Sequence, residues 1–209
     1  PSERKSATVQ ASDKSANEKQ HELFLRPDSR GGRGHRIVVG EGDARIPLIV
    51  VRGTPYEMGR QLGLLNADQM RAFIPTATAG LTAELEVSQE DLRDVWSRTA
   101  AYTDDRVEQE MVGLADGSGI PLAQLQAMHA VPLLKPYSCS SIAAWGDATR
   151  DGQLYQTRNL DWSLEVGAHD FPVIVVYIPD HGIPHVVPTF AGMIGAHTGM
   201  NLRGIALSE

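Results

Sequence analysis

The sequence predicts an α+β protein, and three observations carry that expectation. Residues 55–131 keep an apolar period of helical spacing. After residue 139 the pattern switches to short β-branched runs separated by turns. Two further β-branched runs, 36–39 and 46–51, precede the helices.

Residues 1–35 are polar and charged, with a Gly/Arg cluster at Arg30-Gly31-Gly32-Arg33-Gly34, and are expected to form a disordered arm. The runs at 36–39 and 46–51 read as a hairpin around Gly40-Glu41-Gly42-Asp43. Those glycines are a turn rather than a phosphate cradle, because no Lys-Ser/Thr and no helix follow them. Pro55 suits a first helical turn, and Met58, Leu62, Leu65, Met70 and Phe73 then recur at helical spacing. Ser88 with Asp91 resembles a capping box that opens a helix through Val95, Trp96, Tyr102, Val107 and Met111. Gly113, Gly117 and Gly119 are expected to break that helix, and Pro121 to start a short one carrying Leu122, Leu125 and Met128 up to Pro132. Strands are expected at 142–146, 154–160, 171–178, 185–190 and 204–207, with a turn at Asp151-Gly152. Their direct succession implies antiparallel pairing, since parallel neighbours need a long crossover.

The 209 residues are 42% hydrophobic and 22% charged, with a formal net charge of −7, enough for a real core. The acidic balance and the lack of a basic stripe exclude a general nucleic-acid binder. No apolar run approaches the roughly 18 residues of a membrane span. A single cysteine excludes an intramolecular disulfide, and a cytoplasmic location is favoured. The sequence starts at Pro1 and ends in the middle of a strand-like run, so further chain is expected on both sides.

That one cysteine, Cys139, stands in Tyr137-Ser138-Cys139-Ser140-Ser141, where helical sequence gives way to strands. We read it as a nucleophile that becomes an N-terminus when the Ser138–Cys139 bond is cut. A hairpin loop centred between residues 149 and 152 pairs positions whose numbers sum to about 300–303, so Cys139 faces residues 161–164 and Asp161 lands beside it. Strict alternation puts Arg158 and Asp161 on opposite faces, so both can serve one site only if a bulge or strand end intervenes near Asn159-Leu160. An N-terminal cysteine can pass its thiol proton to its own amine, as N-terminal threonine nucleophiles do. A carboxylate orients that amine and an arginine favours a thiolate. The alternative is that Cys139 is a small buried hydrophobe and that Arg158 and Asp161 are a surface ion pair.

Residues 139–162, from Cys139 to Asp161-Trp162, resemble the nucleophile region of the acyl-coenzyme A:6-aminopenicillanic acid acyltransferase family. That family belongs to the N-terminal-nucleophile hydrolases and is related to the choloylglycine hydrolases. The resemblance extends to Arg52-Gly53-Thr54-Pro55-Tyr56-Glu57-Met58-Gly59-Arg60-Gln61-Leu62-Gly63, to Gly113–Leu122 and to Gly199–Ala206. It implies a four-layer αββα sandwich, self-cleavage before the cysteine, and hydrolysis or acyl transfer at amide bonds through a thioester. In that reading residues 36–138 are a mostly helical pro-segment and residues 139–209 the first strands of the catalytic sheet, the two forming an alpha/beta heterodimer. Cys139 is the nucleophile, with Asp161 and Arg158 as its polar support. The partner is a small-molecule amide or acyl donor, without a metal or organic cofactor. Ser138 replaces the glycine that precedes the nucleophile in the fungal acyltransferase. The oxyanion donors are expected beyond Glu209, and Asn201 is not assigned that role.

His169, His181, His185 and His197 are read as surface or turn histidines, since Pro184 excludes a helical pair there. Ser138, Ser140 and Ser141 lack a Gly-x-Ser-x-Gly elbow, which argues against a serine hydrolase. A non-catalytic binding protein with an internal, uncut Cys139 is the reading from another class.

Overall fold

A computed structural model of the chain describes residues 32–134 and 138–209. The expected arm lies outside the described residues up to residue 31. Its last residue instead opens a strand, β1 (His35–Val39), which pairs antiparallel with β2 (Ile46–Gly53) as the hairpin pattern predicts.

Among the described residues four α-helices follow: α1 (Pro55–Leu85), α2 (Gln89–Ala100), α3 (Asp105–Ser118) and α4 (Leu122–Ala130). Two of them start in full capping boxes. Thr54 and Glu57 exchange side-chain and backbone bonds at the head of α1, and Ser88 and Asp91 do so at the head of α2. The helix expected to run from Ser88 through Met111 is two helices. Asp104 caps α3 by accepting from the Arg106 N–H, and Tyr102 in the break is 92% exposed.

Gly113 and Gly117 do not break a helix, contrary to the sequence expectation. Both lie within α3, and Gly119 alone ends it, in a left-handed conformation at φ 73°. A Cβ on Gly113 would collide with the Tyr56 carbonyl, and one on Gly117 with the Arg60 carbonyl. Gly59 and Gly63 are in the same position against the Glu110 and Leu114 carbonyls. These four glycines let the α1 and α3 backbones touch, which is why they sit inside helices despite their poor propensity.

Among the described residues there are eight strands. The ribbon of β3 (Ser138–Gly146) and β4 (Gly152–Asp161) is a separate two-stranded sheet. The larger sheet has the order β1-β2-β5-β6-β7-β8, with β5 at Pro172–Pro179, β6 at His185–Phe190, β7 at Thr198–Asn201 and β8 at Ala206–Ser208. Strand β7 had no counterpart in the sequence reading. The β5–β6, β6–β7 and β7–β8 pairs are antiparallel as expected, but β2 and β5 run parallel, Leu48 against Ile174 through Gly53 against Pro179. The long crossover this demands is the whole helical layer plus the ribbon. The core joins Ile49 and Val51 of β2, Val173 and Val175 of β5, and Leu62, Leu65 and Phe73 of α1.

Adding a methyl at a glycine should therefore have opposite signs along α1 and α3. Gly113→Ala should lower the free energy of urea unfolding by about 1–3 kcal/mol through overpacking. Gly80→Ala, exposed and with open space around its Cβ position, should raise it by up to about 1 kcal/mol through helix propensity. Equal effects at both positions would refute the close approach of the two helices.

Candidate functional site

The register of the ribbon places the site residues. Ser138 stands opposite Asp161, Cys139 opposite Leu160 and Ser141 opposite Arg158. The expected pairing of Cys139 with residues 161–164 is thus displaced by at least one residue. The cause is the position of the turn, which is centred on Thr149 with Gly146 opposite Gly152; the irregularity between Ala144 and Gly146 recovers only one residue of the difference.

One residue of shift changes the face each side chain occupies. Cys139 shares a face with its partner Leu160 and with the diagonal neighbour Arg158. Asp161 shares the opposite face with Ser138, and no bulge falls at Asn159-Leu160 to bring it round. Asp161 is exposed, and its register partner is Ser138 rather than Cys139.

Arg158 is the residue that meets Cys139. Its Nη2 lies 3.2 Å from Cys139 Sγ, in donor geometry. The same Nη2 donates to Glu209 Oε2 at 3.3 Å, and Nε donates to the Glu209 carbonyl at 3.2 Å. The Arg158 side chain is 9% exposed and that of Glu209 41%, so the guanidinium is held beneath a half-open carboxylate. Gln156 Nε2 also donates to Ser208 Oγ at 2.6 Å. These contacts clamp the ribbon to the end of β8. A two-stranded ribbon is marginal alone, and this one leaves Ile142, Trp145, Leu154 and Tyr155 exposed. Glu209 was not foreseen in the sequence, since nothing in the residues around it links it to Arg158 before the sheets are placed.

An apolar cleft, part of it facing solvent, opens next to Leu160. Phe73 and Leu81 of α1, Met128 of α4, Val131, Leu160, Trp162, Phe190 and Met193 line it. Leu160 connects the cleft to the site, because it is also the cross-strand partner of Cys139. His197 is the polar residue of the lining and is half-buried, not the surface or turn residue expected. Burial pushes its imidazole below the ordinary value; Glu209 opposes that shift and Arg158 adds to it. Among the other histidines, His185 stacks on Tyr177 at 4.9 Å and His169 lies 3.6 Å from Asp170. Among the described residues no group of three His, Cys, Asp or Glu side chains converges to hold a metal ion, and no helix is long and apolar enough to cross a membrane.

No known protein-family profile matches the chain. Over 196 residues, 81% of the chain, it is 30% identical to protein dcd1B of Dictyostelium discoideum. It is 28% identical over 205 residues to protein dcd1A of the same organism, and 23% identical over 205 residues to an uncharacterized protein of Archaeoglobus fulgidus. The matched stretch covers 39%, 44% and 34% of those three proteins, so the chain spans less than half the length of the relatives it matches.

Two enclosed titratable groups have opposite effects on stability. The Glu110 carboxyl of α3 lies under Tyr177 of β5, and its Oε1 has no hydrogen-bond partner. Burial pushes Glu110 up to about 7, only partly offset by Tyr177. The folded chain thus keeps a proton that the unfolded chain releases, and this contribution is present below pH 4.5 and lost as the pH rises to about 7. Burial pushes His129 of α4 down to about 4, so its contribution is lost as the pH falls from 6.5 towards 4. His197 acts in the same direction as His129. Between pH 4.5 and 6.5, Glu110→Gln should make stability rise with pH more steeply than in the parent, by about 1.4 kcal/mol per pH unit. Urea unfolding at three pH values across that window measures it, and identical slopes would mean that Glu110 is not protonated in the fold.

Proposed function

We propose that the chain carries the nucleophile of a cysteine amidohydrolase or acyltransferase, which cuts its own Ser138–Cys139 bond and then works through a thioester on Cys139. The observation that supports this most directly is the Arg158 guanidinium 3.2 Å from the Cys139 sulfur, whose cross-strand partner Leu160 lines an apolar cleft. The resemblance of residues 139–162 to the acyl-coenzyme A:6-aminopenicillanic acid acyltransferase family supports the same reading. The fold is α+β. In this reading its helices and large sheet are two layers of an αββα sandwich, and the ribbon begins the third.

In maturation the Cys139 thiol attacks the Ser138 carbonyl, the Cys139 nitrogen leaves as an amine, and water hydrolyses the resulting thioester to a Ser138 carboxylate and a free thiol. In this reading Asp161, the register partner of Ser138, assists this step and orients the amine it releases. In turnover that amine accepts the thiol proton and the sulfur attacks the substrate amide carbon. The leaving amine takes the proton away. Water or another amine then receives the acyl group. Arg158 holds a positive charge and a donor against the sulfur, and Glu209 fixes the guanidinium plane. The cleft takes the acyl group, so the favoured acyl chain is apolar, alkyl or aryl, and without a terminal charge. This chemistry calls for no metal or organic cofactor, and activity abolished by a chelator and restored by zinc would sink it.

The full-length protein should give two masses under denaturing conditions, split at Ser138–Cys139, and Cys139→Ala should give one and turn nothing over. A wild-type chain that stays whole through long incubation would leave the binding-protein reading in its place. Processed Asp161→Asn should lose about 10²–10⁴-fold in turnover, as expected for loss of an oriented general base. Arg158→Lys should also be impaired, because an ammonium cannot reach both the sulfur and Glu209 as a planar fork does. Wild-type kcat in processed Asp161→Asn across pH 6–9 would remove Asp161 from the site.

A further inference from the structure

Met193, which lines the cleft, belongs to a buried loop. Ala191, Gly192, Met193 and Ile194 are all buried between β6 and β7, and Gly192 takes φ 79°. A Cβ on Gly192 would stand 2.6 Å from Ile74 Cδ1 and 3.1 Å from Met70 Cε, so the loop presses directly on α1. Buried backbone N–H groups need acceptors. Ala191 donates to the Phe171 carbonyl at 3.0 Å and Met193 to the Phe190 carbonyl at 3.1 Å. Ile194 donates instead to a side chain, Nε2 of His129, at 3.0 Å across 65 residues of sequence.

The other ring nitrogen of His129 lies 2.8 Å from the Leu125 carbonyl, one turn back on α4. These partners fix the tautomer. An amide N–H can only donate, so Nε2 is unprotonated; a carbonyl can only accept, so Nδ1 carries the proton. The imidazole is neutral and used at both ends. From α2 it meets the edge of Trp96 at 6.4 Å, and the charge that reaches it is that of His197.

We infer that His129 is a positioning residue for the acyl-binding cleft: through Ile194 it holds the loop that carries Met193 and leads to His197 against the helices. The inference rests on the cleft being the acyl site, as proposed above. A second proton on the ring would set N–H against the Ile194 N–H and release the loop. His129→Leu removes the acceptor and leaves the Ile194 N–H orphaned, whereas His129→Gln can offer an oxygen in its place.

The test is binding of 11-(dansylamino)undecanoic acid, followed by fluorescence, to the full-length Cys139→Ala protein, which cannot turn over. His129→Leu should weaken binding about tenfold while still unfolding cooperatively, and His129→Gln should stay near the parent. Relative to His129→Gln, the parent should also lose affinity as the pH falls through about 4. A folded His129→Leu protein that binds like the parent overturns the inference. If His129→Leu does not fold, parallel acid titrations of the parent and His129→Gln overturn it. A parent that binds no probe overturns it whatever the turnover. Probe binding that depends on His129 in a protein whose wild type neither processes itself nor cleaves amides would sustain this inference and defeat the proposed function.

Discussion

The parallel pairing of β2 with β5 is the constraint on which the remaining architecture depends. Two parallel neighbours cannot be joined by a tight turn. Everything between Gly53 and Pro172 must therefore leave the sheet and return. The helical layer uses that excursion to cover the sheet, with α1 packed on β2 and α3 on α1 through four glycines. The ribbon uses its last part, which is why Cys139 stands beside the sheet rather than within it.

Much of this was legible wherever one local rule decided the outcome. The period of Met58, Leu62, Leu65, Met70 and Phe73 gave α1, all five being buried, and Ser88 with Asp91 gave the start of α2. Failures came where a rule depended on a partner far away in sequence. Glycine reads as a helix breaker until another helix requires its missing side chain, and then it is what lets the helix pack. The parallel pair could not be read because each strand alone carries the same β-branched signal whichever direction its neighbour runs.

At the site, residue types were legible and geometry was not. Cys139 and Arg158 do meet, but the relation between Cys139 and Asp161 hung on a register set by where the turn is centred. Glu209 and His129 carried no local signal. One sits at the end of the last strand and the other inside a short helix, and each gains its meaning from a group brought to it by the sheet.

The large sheet has a consequence for how the molecule can be divided. Strands β1 and β2 precede Cys139, strands β5 to β8 follow it, and the seam between the two sets is the central β2–β5 ladder. The residues before and after Cys139 are therefore not two globules in contact. They are two incomplete halves of one folding unit, each lacking the strands and core side chains that the other holds. A nick at that point would change the covalent topology but not the hydrodynamic particle. Separating the pieces would mean unfolding both, so partner exchange between molecules would be limited by the rate of global unfolding.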